Sequence, residues 1–253
     1  MLETTFYKYL LIAWLALALI IFISLFFIVA PYGRHVRKKW GLTVQSSLGW
    51  IMMESASPLI FAICFMLGPN RNSIPEIIFL LLWEAHYIHR AYIYPISIRG
   101  GEKPMPLAVI SMGFFFNCIN SYLNGRYIFN LSSGYANSWL IDPRFIIGVA
   151  IFICGFVINR NSDIILRNLR VPGQPEYRIT DKGLFRWVSC PNYLGEIMIW
   201  SGWAIATWSL AGLSFALWTA ANLVPRARSN HLWYKKQFPE YPPQRHVLIP
   251  GVW

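Results

Sequence analysis

The stretch that decides the fold lies near the N-terminus, at residues 8–30: KYLLIAWLALALIIFISLFFIVA. After Lys8 it holds about twenty apolar positions, and a helix of this length, rising ~1.5 Å per residue, crosses a hydrocarbon core of ~30 Å. A cleaved signal peptide would have a positive start, a shorter apolar core and a small-residue cleavage site, whereas this stretch ends in Pro31-Tyr32-Gly33-Arg34. We therefore expect it to remain in the mature protein as a transmembrane helix.

The composition of the whole chain agrees with this reading, because 56% of its 253 residues are hydrophobic and only 13% are charged. Further apolar runs predict spans near residues 44–67, 74–96, 105–129, 144–166, 193–209 and 211–225. We predict an all-α fold, a multi-pass transmembrane helical bundle of seven helices. Counts of six or eight spans are the alternatives, because the last two runs are short and such boundaries drift by a few residues.

The positive charges predict the orientation, because cytoplasmic loops near span ends are enriched in Lys and Arg. With the N-terminus outside and the C-terminus cytoplasmic, the outward loops hold only Lys8, Arg71 and Arg144. Most of the side chains that give the net charge of +11 then lie on the cytoplasmic side, where they could bind anionic lipid headgroups or a polyanion. Nucleic acid is not expected as a partner, since the arginines are interleaved with membrane spans.

Two polar side chains lie deep inside predicted spans. Glu54 is about ten residues into the second span, and Tyr87 is about twelve residues from Arg99 in the third, so both lie roughly 15 to 18 Å from the cytoplasmic surface. A carboxyl and a phenol at one depth could hydrogen-bond a carbonyl oxygen. The alternative is a buried glutamate that pairs with His86, His89 or Arg90. We expect no metal, because the two histidines lack a third ligand.

A second set of polar side chains lines the predicted cytoplasmic end of the bundle. Residues 159–191 form the longest polar interruption, which predicts a functional loop. Asn159, Asp163 and Arg170 fall on one helical stripe leaving the fifth span, and Asn192 and Glu196 repeat the spacing at the start of the sixth. Amides and carboxylates suit hydroxyls and a carboxamide, and arginines suit phosphates, so together they indicate a nucleotide. The chain has neither a GxGxxG nor a P-loop motif, so helices and loops would hold it.

Several segments in order resemble the steroid 5α-reductases. They are YGRH (32–35), MESASP (53–58), HYIHRAYIYP (86–95), NRNSDIILRNLR (159–170), YRITDKGLFRWVSCPNYLGEIMIWSGWAIATWSLAGLSFA (177–216) and PRARSNHLWYKKQFPEYPPQRHVLIP (225–250). The resemblance covers nearly the whole chain after the first span. It implies a membrane enzyme that transfers a hydride from NADPH to the β carbon of an enone, the Δ4 bond of a 3-oxosteroid.

The resemblance also implies roles for particular residues. The family's catalytic pair maps onto Glu54 and Tyr87, which would grip the ketone oxygen while negative charge develops on it. Its NADPH contacts map onto Asn159, Asp163, Arg170, Tyr177, Arg178, Asn192, Glu196, Arg226 and Tyr234. The apolar lining of the steroid pocket would include Trp50, Phe114, Phe115 and Phe116, although aromatic residues at such positions are more often plain packing.

These inferences predict one integral membrane domain, residues 1–253, with a substrate-pocket half at 1–130 and an NADPH-binding half at 131–253. We expect a monomer in a bacterial inner membrane or the endoplasmic reticulum, with the active site opening to the cytoplasm. Two alternatives stay open. An isoprenylcysteine or phospholipid methyltransferase would bind S-adenosylmethionine and need no buried acid and phenol. A transporter or lipid-binding protein would use the interior carboxylates as ligands but leaves residues 159–191 unexplained.

Overall fold

The structure is a computed structural model that describes residues 2–28, 41–99, 102–171 and 177–253. The YGRH segment at 32–35 and the predicted inward cations between residues 34 and 39 lie outside the described residues, as do residues 172–176 of the predicted loop. The described chain is mostly helical. Its elements are α1 (Leu2–Phe27), β1 (Thr43–Gln45), α2 (Ser46–Glu54), α3 (Ala56–Leu67), α4 (Ile74–Ile88), α5 (Tyr94–Ser97), β2 (Pro104–Pro106), α6 (Leu107–Arg126), α7 (Pro143–Leu169), α8 (Pro191–Thr207) and α9 (Leu210–Gln237).

Four of the described helices are long and apolar enough to cross a membrane: Leu2–Phe27, Ser46–Leu67, Leu107–Leu131 and Pro143–Leu169. Each contains most of one predicted span. These helices suggest a membrane protein, and seven spans with an outside N-terminus remain a prediction.

The chain forms two compact units. The first comprises the described residues of Met1–Leu11 and Pro31–Ile146, and the second those of Ile12–Ala30 and Ile147–Trp253.

In the first unit, the run predicted as one span at 44–67 contains a break between α2 and α3. Glu54 is the last residue of α2, and Ser55 separates the two helices. The carbonyl of Glu54 would normally accept from the amide four residues on, but that position is Pro58, which has no N–H. Ser55 keeps helical dihedral angles, and the amides of Ser55 and Leu59 still donate to Ile51 and Ser55, so α2 passes into α3 with one helical hydrogen bond missing at Glu54.

Helix α4 begins with a complete capping box. The hydroxyl of Ser73 accepts from the amide of Glu76, and the carboxylate of Glu76 accepts from the amide of Ser73. The helix runs into a π-helical turn at His89–Ile93 and then into α5, and together these elements cover the predicted span at 74–96. A second π-helical turn, Tyr127–Leu131, ends α6. The short strands β1 and β2 pair antiparallel, with Val44 opposite Met105.

In the second unit, α7 and α8 approach until their backbones touch at glycines. A Cβ added at Gly155 would lie 2.6 Å from the carbonyl oxygen of Gly195, and one added at Gly195 would lie 2.6 Å from the amide nitrogen of Asn159. Only a residue without a side chain permits this separation. The contact fixes the part of α7 that carries Asn159 against the first turns of α8.

Helices in the second unit extend beyond the predicted spans in two places. The fifth span is predicted to end near residue 166, whereas α7 continues to Leu169, so Asn159 and Asp163 lie on the helix as predicted and Arg170 lies just after it. The last predicted span ends at residue 225, whereas α9 continues through Pro225 to Gln237. Proline removes one helical donor, and the flanking turns of this helix are intact, so the helix continues past it.

Candidate active site

The two residues expected to be catalytic are joined through a third. The hydroxyl of Tyr87 donates to Oδ1 of Asn117 over 3.4 Å, and Nδ2 of Asn117 donates to Oε2 of Glu54 over 3.2 Å. The same Nδ2 donates to the carbonyl oxygen of Met53 over 2.8 Å. The predicted acid and phenol therefore belong to one hydrogen-bonded group, carried by α2, α4 and α6 within the first unit.

The tyrosine of this group is held by aromatic packing. Tyr87 is 3% exposed, and its ring centroid lies 5.1 Å from that of Trp83. Trp83 in turn stacks on Phe61, with centroids 4.3 Å apart and planes 7° from parallel. Such contacts restrict the ring to one rotamer, so the phenol oxygen has a defined position. A fixed donor suits an oxygen that gains charge during a reaction.

The four residues expected to line the substrate pocket differ in how far they are exposed. Trp50 is half-buried, lies edge-on to Tyr94 and is covered by the guanidinium of Arg90, whose Cζ is 4.6 Å from the ring centroid. Phe116 is half-buried, whereas Phe114 and Phe115 are 41% and 64% exposed. The pocket-lining role of all four stays a prediction.

In the second unit, Asn159 connects α7 to α8. Its Nδ2 donates to the backbone carbonyl of Asn192 over 2.9 Å and to Oε2 of Glu196 over 3.0 Å. The second carboxylate oxygen of Glu196 accepts from the indole of Trp200 over 3.0 Å. Three residues predicted to contact a cofactor thus lie together, and Asp163 follows Asn159 by one turn of the same helix.

The remaining predicted cofactor residues lie on α9 and in the segments before α8. Arg226, 8% exposed, donates from Nε to the hydroxyl of Tyr193 over 3.0 Å. Tyr177 packs edge-on against Trp233, with ring centroids 5.0 Å apart. A cavity of about 10 Å³, the size of one water molecule, is lined in part by Arg178 and Tyr234. Arg170 directly follows the last residue of α7.

A polar cluster that sequence reasoning missed surrounds Ser189. Its hydroxyl lies 2.6 Å from Nδ1 of His231 and 2.7 Å from the hydroxyl of Tyr241, and it donates to the carbonyl of His246. Burial, together with the nearby charges of Lys235, Arg245 and His246, lowers the pKa of His231 to about 4. His231 is therefore neutral at physiological pH, and the cluster ties the C-terminal segment to α9.

Asn117 and Tyr193 were also missed. Asn117 is an uncharged amide in an apolar run, and its partners Glu54 and Tyr87 are 63 and 30 residues away along the chain. Tyr193, in the first turn of α8, accepts from Arg226 and from Nδ2 of Asn230. For Asn117, the only signal in the sequence was its amide side chain, because a polar group inside a membrane helix is energetically unfavourable unless it has a hydrogen-bonding partner.

No group of three or more metal-ligating side chains occurs among the residues that the structure describes.

The fold and the two polar groups define a class of protein: a helical protein of membrane type, with an acid and a phenol joined through an amide in one unit and an amide hydrogen-bonded to a carboxylate in the other. Comparison with known proteins gives the family. A family model described as 3-oxo-5-alpha-steroid 4-dehydrogenase matches residues 103–253. The chain belongs to this family, the steroid 5α-reductases.

Similar proteins occur in plants and animals. Steroid 5-alpha-reductase DET2 of Gossypium hirsutum is 38% identical over 257 residues, which cover 99% of each chain. Two proteins named 3-oxo-5-alpha-steroid 4-dehydrogenase 1 are each 42% identical over 221 residues and 87% of this chain; they cover 83% of the Macaca fascicularis protein and 85% of the Homo sapiens protein. The chain is therefore an enzyme, an oxidoreductase acting on CH–CH bonds, rather than a methyltransferase or a transporter.

Proposed function

We propose that this enzyme reduces the Δ4 double bond of a 3-oxosteroid with NADPH and gives the 5α-dihydrosteroid. The observation that carries the proposal is the hydrogen-bonded group of Glu54, Asn117 and Tyr87, because it holds two potential donors, a buried phenol and a half-buried carboxyl group, close together in the first unit. Two donors with fixed positions suit the oxygen of a ketone. Family membership supplies the substrate class, since the similar proteins are named for 3-oxo-5-alpha-steroids.

The chemistry follows from where charge develops. When bound, NADPH would supply a hydride for the β carbon of the enone, and the electron pair of the double bond would then move toward the ketone oxygen. Protonated Glu54 and the hydroxyl of Tyr87 stabilise that oxygen by hydrogen bonds that strengthen as its charge grows. A proton then adds to the α carbon and regenerates the ketone.

The second unit offers groups of the right kind for NADPH. Guanidinium groups bind phosphates through paired hydrogen bonds, and Arg226 is a buried guanidinium with a fixed partner, Tyr193. Carboxamide and carboxylate groups suit ribose hydroxyls and the nicotinamide carboxamide, and Asn159 and Glu196 are such groups, hydrogen-bonded to one another. The proposed set of NADPH contacts is Asn159, Asp163, Arg170, Tyr177, Arg178, Asn192, Glu196, Arg226 and Tyr234.

The proposal includes the wider organisation of the protein. Residues 1–130 would form the substrate half and residues 131–253 the NADPH half of one monomeric membrane domain. Seven spans, an outer N-terminus and a site that opens to the cytoplasm agree with the excess of Lys and Arg in the predicted inward loops. Cysteine accessibility on both sides of sealed vesicles tests this topology. A cysteine introduced at Arg71, in a predicted outward loop, should react only with a reagent added outside, and its labelling from the cytoplasmic side would contradict the topology.

Two substitutions test the proposed pair, Glu54→Gln and Tyr87→Phe. Tyr87→Phe removes one stabilising donor, and loss of one such donor lowers kcat by about 10² to 10³ fold in comparable sites. Glu54→Gln replaces the acidic O–H donor by an amide N–H that is a much weaker acid, so kcat should fall here too. The Kd of NADPH, measured by fluorescence titration, should stay within about twofold of the wild-type value, because the pair acts on the ketone.

Matched controls are Glu102→Gln, at an exposed carboxyl, and Tyr92→Phe, at a half-buried phenol of the same helical segment. Both should keep wild-type turnover. If Glu54→Gln and Tyr87→Phe are as active as these controls, or if they lose NADPH affinity in proportion to their loss of turnover, the catalytic assignment is wrong.

A further inference from the structure

We propose that Asn117 is a positioning residue that sets the direction of the hydrogen-bond chain between Tyr87 and Glu54, and so determines which oxygen of Glu54 faces the ketone. This inference rests on the proposed function, because it assigns a role within the same catalytic group. Asn117 is 4% exposed, so its amide works in a setting where each unmade hydrogen bond is costly.

The direction of the chain follows from the chemistry of the partners. A carboxamide has two hydrogens on nitrogen and acceptor sites on oxygen only. The backbone oxygen of Met53 can only accept, and it lies 2.8 Å from Nδ2 of Asn117. If the amide were turned over, two oxygens would face each other at this distance. Met53 therefore fixes Nδ2 on the side of Glu54 and Oδ1 on the side of Tyr87.

This fixed amide has a consequence for the acid. The second hydrogen of Nδ2 points at Oε2 of Glu54, which is thereby committed as an acceptor. A proton that Glu54 shares with a ketone is then best carried on Oε1. Asn117 thus orients the carboxyl group and selects the oxygen that donates.

It also has a consequence for the phenol. Before a ketone binds, the hydroxyl proton of Tyr87 is directed at Oδ1 of Asn117 over 3.4 Å, near the long limit for a hydrogen bond. A long bond is weak, so a ketone oxygen can replace Oδ1 as the acceptor at little cost. Asn117 Oδ1 therefore holds the phenol proton in a defined direction until the ketone oxygen of the substrate replaces it as the acceptor.

The packing of α6 against α2 supports this role. Gly113 precedes Asn117 by one helical turn, and a Cβ added there would lie 2.7 Å from Sδ of Met53. The glycine lets the side chain of Met53 pack directly on α6, which brings the backbone oxygen of Met53 within reach of Asn117. The helix contact and the amide orientation thus depend on the same pair of neighbouring turns.

The test compares Asn117→Leu and Asn117→Asp with Asn124→Leu. Asn124 is the matched control, because it is a fully buried asparagine of the same helix whose Nδ2 donates to the backbone oxygen of Asn120. Leucine removes both functions of Asn117, whereas aspartate has a similar shape and keeps the acceptor for Tyr87 but donates to neither Glu54 nor Met53. If the leucine variant does not fold, the aspartate variant still tests the role.

Both Asn117 variants should lower kcat/KM for a Δ4-3-oxosteroid by about 10- to 100-fold, the cost of misplacing a catalytic group by about 1 Å. The Kd of NADPH should remain within about twofold of the wild-type value. Asn124→Leu should lower stability but keep kcat/KM within about threefold of wild type. Wild-type turnover in Asn117→Asp, or equal losses in Asn117→Leu and Asn124→Leu, would overturn the proposal.

A double-mutant cycle separates positioning from a general packing effect. In the Tyr87→Phe background there is no phenol proton to direct, so Asn117→Leu should cost at least about threefold less than it costs in the wild type. Fully multiplicative losses would refute coupling through Tyr87. Failure of the proposed function is distinguishable, because the wild-type enzyme itself would then leave every Δ4-3-oxosteroid unreduced.

Discussion

The glycine contact between α7 and α8 gives a quantitative prediction for Gly195→Ala. The new Cβ would lie 2.6 Å from the amide nitrogen of Asn159, 2.7 Å from the carbonyl oxygen of Gly155 and 2.9 Å from Cα of Asn159. Unstrained contacts to carbon need about 3.5 Å, so the helices must separate by roughly 1 Å. All three are backbone atoms, so none can move aside unless its helix moves.

The magnitude follows from two opposing terms. Alanine in place of glycine favours a helix by about 1 kcal/mol, whereas overpacking of a close contact costs about 1 to 3 kcal/mol, with the upper end expected for backbone atoms. The net loss of about 1 to 2 kcal/mol corresponds to a fall in Tm of about 2 to 8 °C. Separation by 1 Å also stretches the bonds from Asn159 to Asn192 and Glu196, now 2.9 and 3.0 Å, so NADPH affinity should fall at least about fivefold.

The assay is a thermal melt of the detergent-solubilised protein combined with an NADPH titration. Gly49→Ala is the matched control, because its new Cβ meets side-chain atoms rather than backbone, at 2.9 Å from Cδ1 of Ile110, 2.9 Å from Sδ of Met105 and 3.2 Å from Cγ1 of Ile110. The control should keep its Tm within about 2 °C and bind NADPH normally. A Gly195→Ala enzyme with the stability and NADPH affinity of Gly49→Ala would show that this contact does not position the proposed NADPH contacts Asn159, Asn192 and Glu196.

Three further predictions concern charge. His231, held neutral by its lowered pKa of about 4, takes up a proton on unfolding at any pH between its folded value and about 6.5, so stability should fall by up to about 3 kcal/mol as the pH drops through this window. The Tm of His231→Asn should be less pH-dependent there, and parallel curves would contradict the assignment. Arg170→Ala should raise the Kd of NADPH more than it lowers kcat at saturating NADPH. An unchanged Kd would remove Arg170 from the proposed NADPH contacts. Glu3→Gln breaks an exposed pair with Arg126, so its unfolding free energy should change by less than about 1 kcal/mol, and a larger change in a denaturant melt would show that the pair is not simply a surface contact.

Much of the fold could be predicted from the sequence, because a long apolar run has few stable forms in a membrane. The helices at 2–27, 107–126 and 143–169 lie close to the predicted spans. Proline affects two of the predicted spans differently from what the sequence alone suggests. Pro58 removes one helical hydrogen bond beside Glu54 and separates α2 from α3, whereas α9 continues through Pro225 for another 12 residues, to Gln237.

The candidate site divides in the same way. Glu54 could be selected from the sequence, because a carboxyl group inside a membrane span is energetically unfavourable unless it has a partner or a function. Tyr87 could then be paired with Glu54, because the two side chains have a similar predicted depth from the cytoplasmic surface. Asn117 could not be selected in this way. Its proposed role depends on the packing of α2, α4 and α6 and on a hydrogen bond to the backbone carbonyl of Met53, and the sequence does not show which backbone carbonyl a side chain contacts. The close approach at Gly195 likewise depends on a facing glycine 40 residues earlier in the numbering, at Gly155.

The central claim is that a hydride passes to the β carbon of an enone whose oxygen is held by Glu54 and Tyr87. The most direct measurement uses purified enzyme, a Δ4-3-oxosteroid and NADPH deuterated at its transferable hydrogen, with the product analysed by mass spectrometry and NMR. We expect one deuterium at C5 of a 5α-product, a solvent hydrogen at C4 and an intact C3 ketone. Deuterium at C3, or a product without deuterium, would contradict the claim.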